Sequence, residues 1–116
     1  MTDAEKKLLT DILTAIHSIN DYLGEKRDFE AYKVNKMQRR AVERELEIIG
    51  EAMNNFLKLN SSVQLSYTRT VVDLRNKIIH AYDNINNTLV WRILVTDLPV
   101  LEQEVAQLLA EDKRRP

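Results

Sequence analysis

The sequence predicts an all-α protein, and three features of it lead to that prediction. The chain has 116 residues but only two glycines and two prolines, so it contains few of the residues that make turns. Hydrophobic residues make up 44% of the sequence and recur at helical spacing. We therefore expect a single domain over residues 1–112, folded as an antiparallel four-helix bundle, followed by a basic tail at residues 113–116.

The first predicted helix begins after Thr2, which Glu5 follows three residues later in a capping-box pattern. Apolar residues then recur on one face as far as Leu23, and Gly24 stands where the residue that ends a helix is expected. His17 lies just beside this apolar stripe. We interpret it as a surface or boundary histidine.

A short extra helical turn and a long helix come next. Asp28 can cap the short turn, and the long helix runs to the polar sequence at residues 60–62. Gly50 lies inside the long helix, where glycine costs about 1 kcal/mol relative to alanine. We interpret Gly50 as a point where a neighbouring helix approaches closely.

Two further helices complete the predicted bundle. The third main helix runs from about residue 65 to residue 81 or 82, and Asn86 or Asn87 can cap the last one. Pro99 lies within the last helix and removes one backbone donor. We therefore expect a kink or restart of that helix near residues 96–98.

Charge and composition exclude several classes of function. Seventeen basic and 18 acidic residues give a net charge of −1, which argues against a protein that coats nucleic acid by bulk electrostatics. The absence of cysteine excludes disulfides and thiolate chemistry, and two histidines are too few for a His-rich metal site. No apolar run is long enough for a membrane span, and the amino-terminal sequence does not resemble a signal peptide. We expect a soluble, cytoplasmic protein without a metal or cofactor.

The third helix carries an unusual arginine. At about 100° per residue, Val71, Ile78 and Ile79 define an apolar arc, and Arg75 falls near its middle. Tyr82, seven residues on, projects almost beside Arg75. Because an unpaired buried charge costs several kcal/mol, Arg75 must meet a carboxylate of the chain, a second subunit or a phosphate. The alternative is an arginine whose stem packs while its head reaches water.

His80 points roughly opposite to that arc, on the face that also carries Asn76. Arg75 and His80 therefore do not form one compact site on a straight, isolated helix. Either the helix breaks near His80, or two chains combine these residues in one cleft. The alternative is a histidine that only interacts with the dipole at the end of its helix.

Residues 75–82, with the sequence Arg-Asn-Lys-Ile-Ile-His-Ala-Tyr, resemble the signature of HEPN domains, an arginine and a histidine a few residues apart. The tyrosine two places after the histidine resembles the pattern of the HepT branch of that family. Residues 41–52, Val90-Trp91 and residues 97–99 resemble other blocks of the same family. The resemblance extends over residues 28–109.

The resemblance implies the toxin of a bacterial toxin–antitoxin pair, a homodimer that cleaves RNA without a metal ion. It implies a cleft shared by two subunits in which Arg75 holds the phosphate and His80 transfers protons, with Asn76 as an auxiliary residue. It also implies that a partner nucleotidyltransferase of the minimal MNT type silences the toxin by adding AMP to Tyr82. The expected partners are an RNA substrate, a second copy and this antitoxin, with no membrane.

Two other interpretations remain open at this stage. The first is a non-catalytic HEPN module that binds nucleotide or nucleic acid and docks a nucleotidyltransferase. The second is a plain helical dimerisation domain without a ligand. Only the nuclease predicts that expression of the protein arrests growth and that His80→Ala relieves this arrest.

Overall fold

The computed structural model describes residues 1–114, and every regular element in that range is a helix. The helices are α1 (Asp3–Leu23), α2 (Phe29–Val34), α3 (Lys36–Leu59), α4 (Thr68–His80), α5 (Asn87–Arg92) and α6 (Leu98–Arg114), and a π-helical turn (Ile93–Asp97) joins the last two. The predicted all-α class is confirmed. The four-helix bundle stays a prediction.

The first helix begins and ends where the sequence predicts. The hydroxyl of Thr2 accepts a hydrogen bond from the backbone N–H of Glu5 at 3.1 Å, and Gly24 ends the helix with a φ of 73°. Glycine is suited to that position because it has no Cβ to oppose a positive φ. The carboxylate of Glu5 is buried and accepts a hydrogen bond from Asn60 at 3.3 Å, so it contributes to tertiary packing.

Polar caps also set the starts of the shorter helices. Asp28 accepts from the N–H of Ala31 at 3.1 Å and starts α2. Asn86 accepts from the N–H of Leu89 at 3.1 Å and starts α5. Both contacts satisfy backbone donors that have no partner inside their helix, and both caps are as predicted.

Contacts at both ends of α1 define how it packs against α3. Glu5 near the start of α1 contacts Asn60 just beyond the end of α3. At the other end, the side chain of Gln38 donates to the carbonyl of Tyr22 at 2.9 Å. The two helices therefore run in opposite directions.

The packing of α1 against α6 follows the same pattern. Lys6 forms an ion pair with Asp112 at 3.3 Å, and His17 pairs with Glu102 at 3.0 Å. His17 is an exposed side chain, so its interpretation as a surface histidine is confirmed.

The apolar faces of these helices enclose one core. Its fully buried members come from every helix and include Leu9, Ile16, Tyr32, Leu46, Met53, Phe56, Val71, Val90, Leu101 and Val105. The ring centroid of Trp91 lies 5.7 Å from that of Phe29 and 5.3 Å from that of Tyr32. These aromatic contacts pack α2 against α5. Within residues 1–114, no helix is both long enough and apolar enough to cross a membrane.

The fourth helix differs from the prediction at both ends. It begins at Thr68 and not near residue 65, because Tyr67 adopts a left-handed φ of 66° that no helix continues through. The N–H of Ser66 bonds Glu104 of α6 at 2.9 Å and holds this turn in place. The helix ends at His80, so Tyr82 lies outside it, contrary to the helical prediction.

The last helix changes geometry just before its proline. The N–H of Leu98 bonds the carbonyl of Ile93, five residues back, which makes residues 93–97 a π-helical turn. Pro99 is then the second residue of α6, where a missing N–H is tolerated. The predicted kink at this point stays a prediction.

The basic tail is in part helical. The expected tail at residues 113–116 begins with Lys113 and Arg114, and both belong to α6. Arg115 and Pro116 lie outside the described residues.

Candidate functional site

The close approach of α3 and α4 centres on Gly50 and Arg75. A Cβ atom built on Gly50 would stand 2.6 Å from the Cβ of Arg75 and 3.1 Å from the carbonyl oxygen of Val71. Both distances are shorter than van der Waals contact, so only glycine fits at this position. The interpretation of Gly50 as a point of helix approach is confirmed.

Arg75 lies at the edge of the buried face of α4 and not near its middle. The buried residues of α4 are Val71, Leu74 and Ile78, whereas Ile79 is 43% exposed. The apolar arc predicted through Ile79 was therefore wrong, because α4 is rotated so that the Leu74 side faces the core. The stem of Arg75 rests on Gly50, and its head emerges at the seam between α3 and α4.

The guanidinium of Arg75 has no acidic partner in the described part of the chain. Its Nη1 donates to Oδ1 of Asn76 at 3.0 Å. Its Nε is buried and has no hydrogen-bond partner within residues 1–114. No ion pair of Arg75 is present in that range either, which excludes a carboxylate of the described chain as its counterion. An arginine left in this state has free donors for an external anion.

His80 is the last residue of α4, and its side chain is exposed. The helix is continuous from Arg75 to His80 and ends there, so of the two alternatives a helix break does not bring these residues together. Five residues of α-helix separate the two side chains by about 140° around the axis and about 7.5 Å along it. A single copy of α4 therefore directs the guanidinium and the imidazole to different sides. Asn76 lies four residues before His80, on the same side of α4, and its Oδ1 accepts the hydrogen bond from Arg75.

Tyr82 follows the end of α4 and is 64% exposed. Arg40 near the start of α3 holds it from the other side of the seam. Nη1 of Arg40 donates to the carbonyl of Tyr82 at 3.4 Å, and its guanidinium carbon lies 5.9 Å from the centre of the ring. The ring thus lies next to a cation, in the geometry of a cation–π contact.

A shallow cleft of about 410 Å³ runs along this part of the seam. Its α3 wall carries three cations and two carboxylates, and Ile78 and Tyr82 form the other side; the α3 residues are Lys36, Arg40, Glu43, Arg44 and Glu47. This row of cations was not among the site residues predicted from the sequence. The four-residue spacing of these basic residues could have predicted the row, because residues four positions apart on a helix share one face.

The two carboxylates of the α3 wall are each paired with an arginine. Glu43 is 5% exposed and forms an ion pair with Arg40 at 3.3 Å, and Glu47 pairs with Arg44 at 3.0 Å. Burial raises the pKa of the Glu43 carboxyl above its ordinary value, and the positive charge of Arg40 partly opposes that shift. Glu43 is thus a desolvated partner for Arg40 in the wall of the cleft.

Tyr32 is a second buried polar group at this end of the molecule. Burial first, and then the negative charge of Glu43, raise the pKa of its phenol. Its hydroxyl has no hydrogen-bond partner among the residues described. No three His, Asp or Glu side chains of residues 1–114 are grouped so that they could hold a metal ion.

The fold and this seam together define a class of protein. Over residues 1–114 the chain is a small all-helical domain with a guanidinium that has no acidic partner, an exposed imidazole and a row of cations along one helix–helix seam. Such groups are those with which proteins bind phosphates.

Comparison with known families identifies the group to which the chain belongs. The family model described as "Ribonuclease HepT-like" matches residues 12–108. This range includes α3, α4 and every residue of the seam described above. The chain belongs to the ribonuclease HepT-like family, as its resemblance indicated.

Curated relatives agree with this assignment. The chain is 36% identical over 104 residues to "Putative RNase MJ1380" of Methanocaldococcus jannaschii, covering 86% of this chain and 92% of that protein. It is 33% identical over 112 residues to "Probable ribonuclease HepT" of Thermococcus cleftensis, covering 93% and 98%. A third, "Putative RNase TTE0752" of Caldanaerobacter subterraneus, is 33% identical over 89 residues, covering 73% and 77%. No solved structure matches the chain.

Proposed function

We propose that this protein is a metal-independent endoribonuclease and the cytoplasmic toxin of a toxin–antitoxin pair. The observation that carries the proposal is the state of Arg75, whose guanidinium has a buried Nε without a partner and no acid to neutralise it within residues 1–114. A charged group kept in this state is suited to an anionic ligand. The family and the names of the relatives make RNA the phosphate ligand that we propose.

The proposed reaction uses a nucleophile that RNA itself supplies. The 2′-oxygen attacks the adjacent phosphorus, the bond from phosphorus to the 5′-oxygen of the next nucleotide breaks, and a 2′,3′-cyclic phosphate and a 5′-hydroxyl result. His80 accepts the proton of the 2′-hydroxyl and returns a proton to the leaving 5′-oxygen. Arg75 stabilises the negative charge that accumulates on the phosphoryl oxygens. Asn76 positions Arg75 through their hydrogen bond.

The active unit that we propose is a homodimer. Because Arg75 and His80 point about 140° apart on α4, one copy does not direct both at the same phosphorus. A twofold axis next to α4 brings the Arg75 of one copy to the His80 of the other. The exposed position of His80 at the end of its helix supports such a composite cleft.

Cleavage by the purified protein tests the nuclease. We expect cleavage of RNA in the presence of EDTA, with cyclic phosphate ends. His80→Ala is expected to lower the rate by about 10²–10⁴-fold and Arg75→Gln by about 10²–10³-fold. His17→Ala is the matched control, since His17 is the other histidine and is exposed on α1. Binding of RNA without cleavage would instead favour the non-catalytic module.

We further propose that a partner nucleotidyltransferase of the MNT type silences the toxin by transferring AMP to the hydroxyl of Tyr82. The phenol is accessible, since the side chain is 64% exposed, and it borders the cleft that contains Arg40. An adduct there adds bulk and negative charge where an RNA phosphate would lie. Mass spectrometry after co-expression with the partner tests this step, and a silenced toxin with unmodified Tyr82 would contradict it.

A further inference from the structure

The cationic row of α3 has the spacing of a linear binding site. Lys36, Arg40 and Arg44 are four residues apart, so they share one face of the helix and rise about 6 Å from one to the next. All three are exposed, and the row faces the cleft beside Tyr82. The whole chain has a net charge of −1, so this row is a local feature and not part of a general basic surface.

The two carboxylates in the same wall of the cleft form ion pairs with the arginines of the row. Among the residues that the structure describes, Arg40 and Arg44 bond Glu43 and Glu47, respectively, through Nη1 alone, while a guanidinium has five N–H donors. Their side chains remain 45% and 68% exposed, so the free donors are available to a ligand. Three cations and two carboxylates also leave the cleft with a net positive charge.

An exposed aromatic ring lies at the same cleft. Tyr82 is 64% exposed and its ring is already in contact with the guanidinium of Arg40. Rings next to a row of cations are the arrangement by which proteins bind single-stranded nucleic acid, with bases on the rings and phosphates on the cations. A paired base cannot stack in this way without leaving its duplex.

The cleft also leads to the candidate catalytic arginine. Ile78, which lines the cleft, lies three residues after Arg75 on the same side of α4. The seam between α3 and α4 thus continues from the cleft to the contact of Arg75 with Gly50.

We propose that this cleft binds an unpaired RNA segment next to the cleavage point, with its phosphates along Lys36, Arg40 and Arg44 and a base stacked on Tyr82. The proposal rests on the proposed nuclease function and names its substrate as single-stranded RNA. An adduct on Tyr82 would then displace the RNA from its own binding site.

Direct binding tests this inference independently of cleavage. Fluorescence anisotropy is measured with a short labelled single-stranded RNA and with the same strand annealed to its complement. The protein carries His80→Ala so that the RNA stays intact. Lys36→Gln with Arg44→Gln removes two cations of the row, and Lys7→Gln with Lys58→Gln is the matched control at two exposed positions outside the cleft.

The single strand is expected to bind more tightly than the duplex. Loss of Lys36 and Arg44 is expected to weaken binding and to reduce the slope of log K against log salt by about 1.4, at about 0.7 for each phosphate of a single strand. Tyr82→Ala is expected to weaken binding about tenfold, and Tyr82→Phe, which keeps the ring, to bind more tightly than Tyr82→Ala. The control pair is expected to leave the slope unchanged.

Several outcomes would overturn the inference. These are no binding of the single strand, equal or tighter binding of the duplex, or an effect of the cleft substitutions no larger than that of the control pair. Binding in the cleft by a chain that does not cleave RNA would instead contradict the nuclease and leave this inference standing. If the protein cleaves RNA but the cleft substitutions do not weaken RNA binding, this inference is contradicted and the nuclease function is not.

Discussion

Gly50 of α3 supports the stem of Arg75 of α4 so closely that a Cβ atom at position 50 would stand 2.6 Å from the Cβ of Arg75. This contact explains a glycine in the middle of a helix of 24 residues. It also explains how a charged residue is carried at the edge of a buried face, because the stem packs on α3 while the head reaches the seam.

Gly50→Ala is therefore expected to destabilise the protein. Alanine would favour the helix by about 1 kcal/mol, but its methyl group forces α3 and α4 apart, which typically costs about 1–3 kcal/mol. We expect a net decrease of about 1 kcal/mol in the free energy of unfolding, measured by urea denaturation. Glu51→Ala, at the adjacent exposed position, is the control and should change stability by less than about 0.5 kcal/mol. A more stable Gly50→Ala protein would show that the helices can separate freely.

Local chemistry made part of the fold predictable from sequence. The caps at Thr2, Asp28 and Asn86 are set by a side-chain oxygen within three residues of the donor that it satisfies. The roles of Gly24 and Gly50 were equally predictable. A side chain at Gly24 would be strained by the positive φ, and one at Gly50 would clash with Arg75. Such features depend on the neighbouring sequence or on a single missing atom.

Features decided by tertiary contact were not predictable in the same way. The start of α4 depends on Ser66 bonding Glu104 of α6, 38 residues away. The helical wheel placed Tyr82 beside Arg75, but α4 ends at His80 and a contact with Arg40 holds Tyr82 instead. The cationic row was not predicted because it becomes a candidate binding site only where α3 and the end of α4 form the cleft. The assignment of Arg75 and His80 as catalytic remains a prediction.

The buried carboxyl of Glu43 gives a prediction about pH. Burial raises its pKa above the ordinary value of 4.5, against the opposing charge of Arg40. A group that holds its proton more tightly in the folded chain destabilises the fold once it is ionised. The stability cost therefore develops as the pH rises above 4.5, and it is complete above the raised pKa.

Glu43→Gln removes this ionisation and leaves an uncharged side chain of similar size. The unfolding free energy of the variant, relative to the unsubstituted protein, is expected to be higher at pH 7 than at pH 4, as measured by urea denaturation at both values. Glu51→Gln, exposed on the same helix, should show no such trend. The opposite trend would mean that the ion pair with Arg40 outweighs burial.

Tyr82→Phe tests the proposed silencing by nucleotide transfer. Without a phenolic oxygen no AMP can be attached, so co-expression of the partner nucleotidyltransferase should not relieve growth arrest by this variant. Tyr22→Phe is the control, because Tyr22 is also an exposed tyrosine and should leave relief by the partner intact. Each variant is compared with and without the partner. Equal relief of both variants would exclude Tyr82 as the modified residue.

The composite site is the central claim, and a mixed dimer tests it most directly. One copy carries Arg75→Gln and the other carries His80→Ala, and two different tags isolate the dimer that contains one of each. If Arg75 of one copy acts with His80 of the other, the mixed dimer has one intact site and one site that lacks both groups. RNA cleavage by this dimer is then compared with the two single-variant proteins.

We expect the mixed dimer to recover about half of the activity of the unsubstituted protein, since one of its two sites is whole. Each variant alone should remain nearly inactive. A mixed dimer as inactive as its parents would show that Arg75 and His80 do not act across two copies, and would contradict the account.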